Sequence, residues 1–117
     1  MVQLYGIPNC DTVKKATVWL KENKIEYEFH DFKKENVSKE TLKHWLSIVR
    51  LEILMNKKST AWKNFTTAQQ LKANNKAGVL ELILLNTNLI KRPVLEFAGT
   101  ILCGFNEETY KNTFDKK

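Results

Sequence analysis

The sequence predicts an α/β layered domain, and three observations carry the prediction. The chain opens with a strand, a helix and a second strand, continues through a helical middle, and closes with two short β segments and a last helix. Residues 2–5 are apolar-rich and are stopped by Gly6 and Pro8, which suits a buried strand. From Asp11 to Asn23 the apolar positions Val13, Ala16 and Leu20 recur at helical spacing, with Lys14, Lys15, Lys21 and Glu22 between them. Ile25, Tyr27 and Phe29 then alternate with Glu26, Glu28 and His30, the pattern of a half-buried strand. Strand, helix, strand in that order is a βαβ unit, whose strands lie parallel and whose crossover is right-handed.

The middle of the chain is helical by the same tests. Ser38 suits an N-cap, Glu40 favours a first turn, and Leu42, Trp45, Leu46 and Val49 form one apolar stripe. Shorter helices are expected over residues 60–65 and from Lys76 to Leu85. Val94 to Phe97 and Thr100 to Cys103, separated by Ala98-Gly99, predict a hairpin. Asn106 followed by Glu107 and Glu108 opens a final helix towards Phe114.

Composition bounds the function. At 117 residues and 13.7 kDa the chain has the size of one domain, expected to span residues 1–117. Nineteen Lys and Arg against thirteen Asp and Glu leave a formal charge of +6, but the surplus is spread over the chain and forms no stripe for nucleic acid. Only Arg50 and Arg92 are arginines. That limits any site built to grip an oxyanion with planar guanidinium forks. The most apolar run, residues 79–85, contains Glu81 and falls far short of the roughly 20 residues a membrane span needs. The start has no basic region followed by an apolar core, so no signal peptide is expected, and the two cysteines read as reduced and cytoplasmic. His30 and His44 share no metal-ligand spacing with each other or with Cys10 and Cys103, so no metal site is expected and both histidines are assigned to the surface.

Cys10 is the residue with chemistry. It stands in Gly6-Ile7-Pro8-Asn9-Cys10-Asp11-Thr12, between the first strand and the first helix. Unpaired amide N–H groups at a helix start favour negative charge on a sulfur placed there. Lys14 and Lys15 would add to the effect, and Asp11 opposes it. A lone cysteine is more often a buried structural thiol. The short Pro-Asn connection argues here for exposure.

The stretches Gly6 to Ala16, Tyr27-Glu28-Phe29-His30-Asp31-Phe32 and Leu89-Ile90-Lys91-Arg92-Pro93-Val94-Leu95 resemble the arsenate reductase (ArsC)/Spx family of thioredoxin-like proteins, and within it the small bacterial YffB-type branch. The resemblance runs nearly end to end, including residues 56–63 and Gly104-Phe105. It implies a thioredoxin-like three-layer sandwich, with the helical middle inserted between the βαβ unit and the C-terminal hairpin. It also implies that Lys91-Arg92-Pro93 abuts Cys10 and that the Arg92–Pro93 peptide is cis. Sequence alone would favour a trans bond.

Two departures from the family shape the expected function. The position that holds a second thiol in Cys-x-x-Cys relatives is Val13, so turnover must pass through a mixed disulfide resolved by an external thiol. Glutathione is the expected co-substrate. Cys103, on the last strand, is assigned to the core rather than to resolution. Glutaredoxin-linked relatives surround the cysteine with three arginines. Here Arg92 remains, Asn56 (beside Lys57) takes the second place, and Gly104 the third. Each lost charge-assisted pair costs about 1.5–3 kcal/mol, which weakens the case for arsenate.

The expected function is thus a glutathione-dependent thiol–disulfide oxidoreductase, a cytoplasmic monomer with no bound cofactor. Cys10 and Arg92 are its catalytic residues; Asn9, Thr12, Lys14, Asn56, Lys57 and Pro93 bind substrate. Two alternatives stay open: a glutaredoxin-linked arsenate reductase, and an Spx-like regulator that binds RNA polymerase.

Overall fold

The computed structural model of the protein describes residues 1–115. In chain order its elements are β1 (Val2–Gly6), α1 (Asp11–Glu22), β2 (Tyr27–Asp31), α2 (Lys39–Ile48), α3 (Leu51–Leu54), α4 (Thr60–Asn64), α5 (Thr67–Leu71), α6 (Lys76–Leu85), β3 (Val94–Phe97), β4 (Thr100–Cys103) and α7 (Glu107–Phe114). Single 3-10 turns lie at Lys72–Asn74 and Thr87–Leu89. The chain forms two compact units. One holds Met1–Glu35 with the chain from Arg92 onward, and the other holds Asn36–Lys91.

The first unit carries a four-stranded sheet in the order β2-β1-β3-β4. β1 and β2 are parallel, with Leu4 opposite Phe29 and Gly6 opposite Asp31. β3 runs antiparallel to β1, Leu4 facing Leu95 and Tyr5 facing Val94, and β4 returns antiparallel to β3. Period-2 alternation sorts the side chains of β1: Val2 and Leu4 are buried, whereas Gln3 and Tyr5 point to the other face. Val2, Leu4 and Leu95 join Ala16 and Leu20 of α1 and Tyr110 of α7 in one apolar cluster. Trp19 meets the Tyr110 ring edge-on at 5.5 Å, and Phe105 meets it at 4.8 Å. Both turn residues of the hairpin have positive φ, 50° at Ala98 and 81° at Gly99, the twist that a tight two-residue connection demands.

The second unit is helical and is held by side-chain caps. Ser38 accepts from the Thr41 N–H, Ser59 from Trp62 and Asn75 from Gly78. Leu42, Trp45 and Leu46 of α2 and Val79, Leu82 and Ile83 of α6 are buried. An isolated bridge joins Met55 to Ile90, with the Asn56 N–H donating to the Leu89 carbonyl at 2.7 Å and the Lys91 N–H to that of Leu54 at 2.8 Å.

Two features differ from the sequence reading. The Leu42–Val49 stripe does not stay in one helix: α2 stops at Ile48, Val49 and Arg50 are extended, and α3 starts afresh. Neither Gly nor Pro marks that break. α5 carries a complete capping box between Thr66 and Gln69, a local signal that the apolar periodicity had obscured.

Candidate active site

Cys10 is the N-cap of α1, with extended backbone angles (φ −89°, ψ 126°). Its carbonyl accepts the first helical bond from the Lys14 N–H at 3.0 Å, and its own N–H donates to Ile7. Among the described residues no side chain caps the helix or accepts from the amides of its first turn. The residue is half-buried, with exposed Pro8 and Asn9 before it and exposed Asp11 after it. Thr12 is half-buried and Lys14 exposed. Val13 is 2% exposed, and its Cγ2 would lie 2.7 Å from a Cβ on Gly6. The place of a Cys-x-x-Cys second thiol is therefore filled by a methyl pair wedged onto β1.

The register of β1 and β3 brings the proline to this end of the sheet. Tyr5 faces Val94, so Pro93, the residue before β3, falls at the end of the sheet where Gly6 ends β1 and the chain departs for Cys10. The Arg92–Pro93 peptide is cis, Pro93 is buried and Arg92 half-buried. The Pro93 carbonyl accepts from the Gly104 N–H at 2.9 Å, and Gly104 has a φ of 80°, left-handed backbone that suits glycine. Cys103 is half-buried on β4 opposite Val94, and no disulfide is formed among the described residues.

The structure gathers Cys10, Asn9, Thr12, Lys14, Arg92 and Pro93 into one unit and places Asn56 and Lys57 in the other. There the Asn56 Oδ1 accepts from the Lys58 N–H at 3.0 Å, and the Lys57 ammonium sits 5.2 Å from the centre of the Trp62 ring. Arg50 lies in that second unit with a strongly exposed side chain, its Nε 3.5 Å from Glu52. Of the two guanidinium groups, Arg92 alone shares a unit with Cys10.

Sequence reasoning assigned His30 to the surface. It is half-buried between the Gln3 amide oxygen and the Glu35 carboxylate, stacked on Tyr5 with ring centres 4.5 Å apart. The Gln3 amide nitrogen donates in turn to Glu28 at 3.0 Å. Tyr5, missed in the sequence, is pushed up to about 12, first by burial and then by the nearby Glu96 carboxylate. The one available signal was its parity in β1, opposite to that of Leu4.

Parallel β1 and β2 around α1, an antiparallel β3–β4 hairpin with a cis-proline at its entrance, and a cysteine heading α1 define a thioredoxin-like protein. A profile of the ArsC family matches residues 5–113, and the chain belongs to the ArsC family. The solved structure of the YffB protein superposes with a TM-score of 0.91 at 38% identity, covering 96% of this chain and 97% of that one. An arsenate reductase (ArsC) related protein from Brucella melitensis is 39% identical with a TM-score of 0.75, covering 98% of this chain and 95% of its own. An uncharacterized protein of Haemophilus influenzae is 38% identical over 115 residues, 97% of this chain and 99% of that protein. Regulatory protein MgsR of Bacillus subtilis is 28% identical over 105 residues, 87% of this chain and 81% of MgsR. No helix among the described residues is long and apolar enough to cross a membrane.

Proposed function

We propose that the protein is a thiol–disulfide oxidoreductase that works through Cys10 alone and is resolved by glutathione. The observation that carries this reading is the half-buried Cys10 at the start of α1, where no side chain caps the helix, with Val13 where a partner thiol would stand. The Cys10 thiolate attacks the glutathione sulfur of a mixed disulfide, a new S–S bond forms to Cys10, and the displaced thiolate leaves with the electron pair of the broken bond. A glutathione thiolate then attacks the glutathione sulfur of the Cys10 mixed disulfide, which releases oxidised glutathione and restores Cys10. The first-turn amides offset the charge on the sulfur, and Arg92 stabilises that charge or holds a substrate carboxylate. Pro93, which lacks an N–H, shapes the floor beside the sulfur. Asn9, Thr12 and Lys14 line the approach.

Arsenate reduction ranks below this reading because one arginine stands where the relatives use three. A regulatory role draws on the likeness to MgsR and to Spx, the global transcriptional regulator of Lactiplantibacillus plantarum, which is 25% identical over 120 residues (all of this chain, 89% of Spx). Val13 removes the dithiol switch that such a role would use. Incubation with oxidised glutathione followed by mass spectrometry decides the matter. One adduct is expected at Cys10, and none in Cys10→Ser; an unmodified wild type would overturn the proposal.

A further inference from the structure

A groove of about 290 Å³ starts at Pro8, two residues before Cys10, and runs between α1 and β2. Val13, Tyr27 and Phe29 give it an apolar floor. Lys14 and Lys21 stand along its α1 side, seven residues and so about two helical turns apart on one helix face. No carboxylate lines it, and neither lysine has an ion-pair partner among the described residues. Of the acidic groups on the adjoining strand, Glu28 accepts from the Gln3 amide on the opposite face, and Asp31, on the face of Tyr27 and Phe29 but outside the groove lining, accepts from the Lys33 N–H at 2.8 Å.

The strand beside the groove is an edge. Among the described residues β2 pairs only with β1, so the outer N–H and C=O groups of Tyr27 and Phe29 are left for an added strand, while the Asp31 carbonyl already accepts from the Lys34 and Glu35 N–H groups. The lengths agree. Cys10 to Lys21 spans about 16 Å at 1.5 Å per residue, and five residues of extended chain span about 17 Å.

We infer that this groove seats an extended acidic peptide segment of a protein substrate whose cysteine exchanges disulfides with Cys10. The inference rests on the thiol-exchange reading above and names the substrate class for it: protein mixed disulfides with glutathione, flanked within about five residues by Asp or Glu. In the exchange, Cys10 attacks the glutathione sulfur, the peptide sulfur leaves as thiolate, and a second glutathione regenerates Cys10 as oxidised glutathione departs.

The test uses three heptapeptides, each carrying one cysteine as its glutathione mixed disulfide, with acidic, amide or basic flanking residues. Peptide thiol release is followed by chromatography for the wild type and for Lys14→Glu/Lys21→Glu. In the wild type the acidic peptide should react faster than the amide peptide by about twofold to thirtyfold, the range open to two partly solvated ion pairs, and salt should narrow the gap. In the double variant the acidic-to-amide ratio should fall to one or below, and the basic peptide should gain. Equal rates for all three peptides in the wild type, or a ratio unmoved by the double variant, would overturn the groove assignment. Calorimetric titration of the Cys10→Ser protein with a cysteine-free acidic peptide separates the two readings. Binding that is lost with both lysines but unaccompanied by any exchange in the wild type removes the oxidoreductase and keeps the groove. Exchange without binding does the reverse.

Discussion

Gly6→Ala is the substitution whose consequence the geometry states most sharply. A Cβ at position 6 would lie 2.7 Å from Val13 Cγ2, against the 3.4–4 Å of ordinary contact. Val13 cannot turn aside cheaply, because a β-branched side chain in a helix keeps about 90% of its population in one χ1 rotamer. The strain must therefore move the first turn of α1, which carries Cys10. Overpacking of this size costs about 1–3 kcal/mol. Val13→Ala removes two methyl groups from a side chain that is 2% exposed, worth about 1.6 kcal/mol in transfer and somewhat more with the void it leaves. In the double variant the new alanine methyl occupies the vacated space, so Gly6→Ala should cost almost nothing there. Urea unfolding followed by tryptophan fluorescence should thus yield a coupling of about 1–3 kcal/mol between the two sites. The alkylation rate of Cys10 should shift in Gly6→Ala and return towards the wild-type rate in the pair. Additive stabilities would refute the contact, and an unchanged alkylation rate in Gly6→Ala would refute its link to the thiol.

Two further outcomes follow from other residues. Gly78→Ala would ordinarily stabilise a helix by up to about 1 kcal/mol, but here the added Cβ would sit 1.6 Å from the Lys72 carbonyl oxygen, so a loss of at least about 3 kcal/mol is expected and a raised thermal midpoint would contradict the packing. Tyr5, pushed up to about 12, keeps its proton between about pH 10 and 12, where the unfolded chain releases it. The native state then binds more protons, so the stability due to Tyr5 is full below pH 10 and is lost as pH rises through 12. Urea midpoints should therefore fall more steeply over that range in the wild type than in Tyr5→Phe; parallel curves would show that Tyr5 does not contribute.

Much of this protein is written locally in its sequence. The alternation in β1, the Val13-Ala16-Leu20 stripe, the caps at Ser38 and Asn106, and the Ala98-Gly99 turn each report a backbone preference or a buried face, and the structure follows them. The thiol at the start of α1 was legible for the same reason, since helix-start chemistry depends on near neighbours. The tertiary structure alone decided what lies beyond that range: that β1 sits between β2 and β3, that β2 is left as an open edge, that Val13 abuts Gly6, and that Lys14, Lys21, Tyr27 and Phe29 border one groove. The break between α2 and α3 belongs with these, because no residue at 49 or 50 signals it. Periodicity tells which face of an element must be buried; which distant element covers that face is set by the packing of the whole, where no single residue carries the information.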